Sequence, residues 1–167
     1  MGLAKQQPLT VTDYLSATDE TRWELIAGTV YDMSPAPVLR QQAIQLSVSV
    51  WLNAQCIHRS TQGSGVLPTC RAFTAPVDVV LSGSTVVQPD LVVVCDPAKL
   101  ANGRYVDGAP DLVVEILSPH TAKKDRFTKR LAYQAAGIPE YLIIDPVAST
   151  VEQYLLENGV YPAPNVF

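Results

Sequence analysis

Pro110-Asp111-Leu112-Val113-Val114-Glu115-Ile116-Leu117-Ser118-Pro119 is the stretch that decides the fold. Asp111–Leu117 is a near-continuous apolar run, as expected of a central strand covered on both faces. The side-chain alternation of a strand puts Asp111, Val113, Glu115 and Leu117 on one side. Glu115 is the informative residue. A carboxylate inside Leu-Val-Val-Glu-Ile-Leu is costly to bury unpaired, so it calls for a cation, a proton or a metal.

Upstream, Gln88-Pro89-Asp90-Leu91-Val92-Val93-Val94 repeats the theme, with Asp90 opening a second apolar run. Alone, Asp90 reads as one of the acids that commonly flank strands. If the two strands are neighbours, Asp90 and Glu115 converge on one hard cation such as magnesium, which takes a couple of carboxylates plus water.

Downstream, Lys123-Lys124-Asp125-Arg126-Phe127-Thr128-Lys129-Arg130 packs five basic residues into eight positions, of twelve in the chain. The spacing predicts a helix over Lys123–Ala136, packed on the sheet by Phe127, Leu131 and Ala135 and closed by Gly137. Asp125, Lys129 and Tyr133 form a second stripe at four-residue steps, which the packing could turn toward Glu115. Two readings of the basic run stay open. One is a solvated face steadied by an Asp125–Lys129 pair. The other is a phosphate-binding patch on an otherwise acidic chain.

Further out, Leu9–Ser16 reads as a short helix capped by Thr10 or Thr12. Trp23–Ile26 and Thr29–Met33 read as a hairpin across Ala27-Gly28, stopped by Ser34-Pro35-Ala36-Pro37. Arg40–Ile57 is helical by spacing, with Ile44, Val48, Trp51, Leu52 and Gln55 on one stripe and Gln41, Gln45 and Asn53 facing elsewhere. Arg59–Gly65 is a polar loop. Val77–Leu81 and Val86–Val94 are strands joined by Ser82-Gly83-Ser84. Tyr141–Ile144 is another strand, and Val151–Leu156, Asn158-Gly159 and Val160-Tyr161 form a hairpin. Strands with one helix among them predict a mixed sheet with helices packed on it, an α/β or α+β layer fold.

The 167 residues, 47% hydrophobic and 17% charged, fit a single domain over residues 1–167 and exclude a disordered chain. The net charge of −4 leaves no global positive field. No apolar stretch approaches a membrane span, and the MGLAKQQPLT start carries no secretory signal. Cys56, Cys70 and Cys95 are odd in number and widely spaced, so they read as buried thiols, which with the rest predicts a cytoplasmic protein. His58 and His120 lack metal-ligand spacing. Ser118 reads as a cap, and Gly63-x-Gly65 as a plain flexible loop.

Together these residues resemble the Uma-two group of restriction-endonuclease-like proteins. The resemblance is carried by Glu24-Leu25-Ile26-x-Gly28, Met33-Ser34-Pro35-x-Pro37, Val87-Gln88-Pro89-Asp90 and the Pro110–Pro119 segment. It continues through Asp125-x3-Lys129-x3-Tyr133-x3-Gly137-Ile138-Pro139-Glu140-Tyr141 and Ile144-Asp145-Pro146, nearly the whole chain. It implies a PD-(D/E)XK nuclease-like fold, a mixed central sheet flanked by helices with peripheral hairpins. It also implies a magnesium site, with manganese as substitute, on Asp90 and Glu115, and Glu24 as an outer or additional ligand.

The superfamily lysine two residues after the second acid is here Leu117, so Lys129 from the following helix takes that role, with Lys124 in reserve. Asp125, Lys124, Arg126 and Tyr133 are expected to support the site or the substrate. Gln41 stands where related sequences tend to carry histidine, and the chain stops at Phe167 where the family usually continues.

The expected activity is hydrolysis of phosphodiester bonds in DNA, Lys129 orienting or activating the attacking water. The alternative is a module of the same fold that binds nucleic acid or a protein partner without turnover. It is favoured by Leu117 and Gln41. A homodimer is expected by analogy with two-fold nucleases.

Overall fold

A computed structural model describes residues 8–18, 22–33, 37–61 and 70–167, with the backbone alone at 57–61. The expected Ser34-Pro35-Ala36 stop, the part of the Arg59–Gly65 loop beyond Thr61, and the amino-terminal MGLAKQQ lie outside the described residues, as does the side chain of His58.

Helix α1 (Val11–Ser16) starts from Thr10. The Thr10 hydroxyl accepts from the Asp13 N–H, and the Asp13 carboxylate accepts from the Thr10 N–H, a reciprocal cap. Strands β1 (Trp23–Ile26) and β2 (Thr29–Asp32) form the expected hairpin. Its turn residues Ala27 and Gly28 have φ of 50° and 76°, as a tight two-residue turn requires. A Cβ on Gly28 would also lie 2.5 Å from Cβ of Pro8, so glycine is needed there twice over.

Helix α2 (Leu39–Thr61) follows, then β3 (Arg71–Thr74), β4 (Val79–Ser82), β5 (Thr85–Val87), β6 (Leu91–Val94), a single 3₁₀ turn (Pro97–Leu100), β7 (Val106–Asp107) and β8 (Leu112–Ile116). A π-helical turn (Lys124–Lys129) runs into α3 (Arg130–Ala136), which ends on Gly137 with φ 78°. Strands β9 (Glu140–Asp145), β10 (Thr150–Leu155) and β11 (Asn165–Val166) complete the chain. Asn158-Gly159 turns the chain after β10 as expected, but Val160-Tyr161 is not the return strand: Glu157 and Val160 make one isolated bridge, and β10 pairs with β9 and β11.

The strands form two mixed sheets, β2-β1-β5-β4-β7 and β11-β10-β9-β8-β6-β3. Within the second, β8 and β9 are parallel. A parallel pair needs a crossover, and the 124–136 helix supplies it. The run Val86–Val94, expected as one strand, is two. Pro89 cannot donate to a ladder, and at Gln88-Pro89-Asp90 the chain leaves one sheet for the other.

Strand β8 is covered on both faces as expected. Val113 and Leu117 face a core with Ile26, Tyr133, Tyr141 and Ile143, while Val114 and Ile116 face α2 through Leu52 and Cys56.

Two helix faces depart from the expected ones. Phe127 and Leu131 are 59% and 55% exposed, and Ala135 is exposed too, while Asp125, Lys129 and Tyr133 point inward. The polar stripe wins because it finds buried partners of opposite charge, which periodicity alone does not see. On α2, Trp51 and Gln55 are exposed, whereas Gln41 and Gln45 turn inward and donate to backbone carbonyls of the sheet.

Cys70 and Cys95 are joined by a disulfide rather than being separate thiols. The register that sets Arg71 opposite Val94 carries their neighbours, Cys70 and Cys95, across from one another, a pairing that spacing in the sequence does not reveal. The thiol-based argument for a reducing compartment goes with it. Among the described residues no helix is long and apolar enough to cross a membrane.

Candidate active site

Strands β6 and β8 are antiparallel neighbours with Leu91 opposite Val114 and Val92 opposite Val113. One step further, that register sets Asp90 opposite Glu115, both on the face turned to the 124–136 helix. Asp90 Oδ2 accepts the Ile116 N–H at 2.7 Å, which holds the carboxylate against the edge of β8. The Asp90 carbonyl accepts from the Ala75 N–H at 2.9 Å and from the Gln45 amide at 3.1 Å.

Glu24 reaches the same place from the other sheet and is wholly buried. Its Oε1 accepts from the Gln88 N–H at 2.9 Å and lies 2.8 Å from Lys129 Nζ, and its Oε2 accepts from Lys124 Nζ at 2.7 Å. Glu115 Oε1 accepts from Lys129 Nζ at 2.8 Å and from the Tyr133 hydroxyl at 2.6 Å. Lys129 thus bridges Glu24 and Glu115. Asp125, one turn earlier, lies 3.9 Å from the same ammonium. Among the described residues, Asp125 Oδ1 is the buried side-chain atom left without a hydrogen bond.

Four carboxylates therefore surround two ammonium groups, leaving two negative charges in excess when all are ionised. Burial pushes the Glu115 carboxyl well above its usual range. Lys129 pulls it back, while Asp125, Asp90 and Glu24 add to the rise. Asp90 and Asp125 are raised for the same reason, burial. Glu24 goes the other way: burial would raise it, but Lys129 and Lys124 together hold it below the ordinary value. Burial alone would lower Lys129, yet Glu115, Glu24 and Asp125 keep its ammonium protonated to well above the usual lysine range. Burial and the Glu115 charge likewise keep the Tyr133 hydroxyl protonated, as its donor role needs.

Glu24, Asp90, Glu115, Lys124, Asp125, Lys129 and Tyr133 are thus brought together. Arg126 is not. Its guanidinium pairs with Asp145 at 3.0 Å and Glu152 at 2.6 Å, on the β9–β10 side of the helix. His120 is exposed, and the Ser118 hydroxyl accepts the Thr121 N–H, capping the turn as expected.

Two contributors were not singled out from the sequence. Gln88 donates its N–H to Glu24, its amide to Tyr14 and Asp78, and accepts from Arg22. Its signal was its place two residues before Asp90. Gln45 had none beyond helical phase. Gln41, noted as a departure, donates to the carbonyls of Ile116 and Leu117 at 3.3 and 3.1 Å.

Among the described residues no three acid, histidine or cysteine side chains converge closely enough to ligate one ion unaided. A magnesium-like ion does not need three, since it keeps several waters and takes one or two carboxylates. The hard oxygens of Asp90 and Glu115, beside an Asp125 Oδ1 that makes no hydrogen bond and a formal excess of two negative charges with all four acids ionised, fit such a cation.

The model of a family named Uma2, described as "Putative restriction endonuclease", matches residues 11–167. The chain belongs to the Uma2 family. Among solved structures, a crystal structure described as "a putative nuclease belonging to DUF820", from Anabaena variabilis, is similar with a TM-score of 0.74. The two are 23% identical, over 96% of this chain and 84% of that one, so the likeness is one of fold. No curated protein matches. The architecture of this Uma2 chain is thus the expected one, mixed sheets flanked by helices as in that nuclease-fold structure, and its family is one of nuclease type.

Proposed function

We propose that this Uma2 protein is a divalent-cation-dependent nuclease that hydrolyses phosphodiester bonds in DNA. The observation that carries the reading is the meeting of Asp90 and Glu115 across β6 and β8, with Lys129 Nζ 2.8 Å from Glu115. Asp90 and Glu115 would hold the ion, magnesium or manganese. When bound, it lowers the pKa of a water and neutralises charge on the phosphodiester. Lys129 orients the attacking water or stabilises charge on the scissile phosphate.

Glu24 serves as the anchor that fixes Lys129 and Lys124, since both its oxygens are engaged by them and by the Gln88 N–H. Tyr133 fixes the Glu115 carboxylate. Of the two ammonium groups in the cluster, Lys124, 16% exposed against 3% for Lys129, is the better placed to meet a substrate phosphate. Arg126 acts outside this cluster, and a two-fold dimer would set two such sites against two strands.

The second reading, a nucleic-acid-binding module without turnover, rests on one observation: the Lys129 ammonium itself lies between Glu24 and Glu115. The two readings part on one assay, incubation of labelled single- and double-stranded DNA with the protein in magnesium, manganese or chelator. Cleavage in metal that is lost in chelator and in Glu115→Gln supports the nuclease. Salt-sensitive DNA binding with no cleavage in either metal overturns it in favour of the module.

A further inference from the structure

Helix α2 has two faces of different character. Its inner face, with Gln41, Ile44, Gln45, Val48, Leu52 and Cys56, lies on the sheet that carries Asp90 and Glu115. Its outer face repeats Leu39, Ala43, Leu46, Val50 and Asn53 in alternating four- and three-residue steps, and all five are exposed. We propose that this outer face is a self-association surface on which a second copy of the chain packs, α2 against α2.

The spacing is that of a helix–helix seam, with Ala43 and Val50 in one class of core position and Leu39 and Leu46 in the other. Of the flanking residues, Gln42, Ser47, Ser49 and Ala54 are small or uncharged, and Arg40 is the charged one. A water-facing helix surface of this length ordinarily carries charges. Here Leu39–Thr61 has no acid at all. On a chain of net charge −4, that face puts no acid against a second copy, and its one described cation, the exposed Arg40, sits at the amino-terminal edge of the seam.

The area is adequate. Leu39, Leu46, Val50 and Trp51 are 84%, 67%, 64% and 58% exposed. Burying these four removes on the order of 500 Å² per copy, and with Ala43, Ser47, Asn53 and Ala54 the face approaches the roughly 800 Å² per partner of a standard interface.

A membrane surface fits less well. Interfacial helices carry a basic polar face turned to water, whereas the opposite face of α2 is packed on the sheet. Because Gln41 and Gln45 of the same helix touch the carbonyls of Ile116, Leu117 and Asp90, pairing through α2 would seat each copy's site directly behind the shared interface. Only this last consequence rests on the nuclease reading.

Analytical ultracentrifugation of the full chain, with Leu46→Glu and Val50→Glu, tests the proposal without any assay of cleavage. The parent is expected to sediment as a dimer at micromolar concentration. Each α2 variant is expected to weaken association about tenfold or more, with unchanged far-ultraviolet circular dichroism. Val147→Glu, which alters an exposed apolar residue far along the chain in the turn after β9, leaves the dimer intact. A parent that stays monomeric overturns the proposal, and so does one that is monomeric yet co-sediments with anionic vesicles. A dimer that survives both α2 substitutions overturns it equally.

Discussion

Asp90 and Glu115 stand opposite one another across β6 and β8, and each is held by a group of the same strand-and-helix unit. The Ile116 N–H donates to Asp90 at 2.7 Å, and Lys129 and Tyr133 both donate to Glu115. Two carboxylates that would repel are thereby fixed at the edge of a dry core. Lys129 offsets only part of their charge, because it also serves Glu24. On the proposed reading, that excess is what a bound cation meets.

On the proposed reading, Lys129 sustains both stability and turnover. Lys129→Met keeps the stem but leaves Glu24 and Glu115 facing each other without the ammonium between them. Chemical denaturation without metal is expected to show a loss of about 3–5 kcal/mol, as for other broken buried pairs. Magnesium should restore part of it, and cleavage should fall at least ~10²-fold. A variant as stable as the parent would mean that Lys129 does not carry this cluster.

Tyr133→Phe isolates one hydrogen bond. The ring keeps its edge-on contact with Tyr141, centroids 4.9 Å apart, so the change removes little but the donor to Glu115. Urea denaturation should report a loss of about 1–3 kcal/mol, the usual range when a buried acceptor loses its donor. A neutral result would mean that water replaces the hydroxyl and that the pocket is wetter than its burial indicates.

Much of this arrangement was legible in the sequence because strand alternation is rigid. A lone Glu115 in an apolar run and an Asp90 at the head of another had to meet if the strands were neighbours, and Asp125, Lys129 and Tyr133 recur at one helical step. The direction that stripe faces was not legible. Periodicity ranks Phe127 and Leu131 as the buried side, and only the buried Glu24 and Glu115, supplied by distant strands, make it favourable to bury Lys129 instead. For the same reason Gln41 and Gln45 read as outward-facing: their partners are backbone carbonyls, which leave no trace in composition. The Cys70–Cys95 bond and the change of sheet at Pro89 depend on register, which is set by the whole assembly of strands.

The acids of the site should also shape the dependence of stability on pH. Glu115, Asp90 and Asp125 have folded pKa values above the ordinary 4.5, 3.8 and 3.8. Between those values and the raised folded ones the native state holds more protons than the unfolded chain, so stability falls as pH rises through that window. Glu24 behaves oppositely: its lowered pKa contributes stability above its ordinary value of 4.5, lost as pH falls through the folded value. Lys129, raised, contributes fully at every pH below its ordinary 10.5, and so adds no slope near neutrality. Metal-free protein is thus expected to melt lower at about pH 8 than at about pH 5.5, with a shallower slope in Glu115→Gln. Parallel profiles for parent and variant would contradict the assignment.

The central claim, that Asp90 and Glu115 together form a cation site, is tested most directly by manganese binding. Titration of the parent, followed by calorimetry or by the paramagnetic signal of the free ion, should show binding that magnesium displaces. Asp90→Asn and Glu115→Gln should each abolish it while the far-ultraviolet circular dichroism stays that of the parent. Binding of undiminished affinity in both variants would place the ion elsewhere and contradict the account.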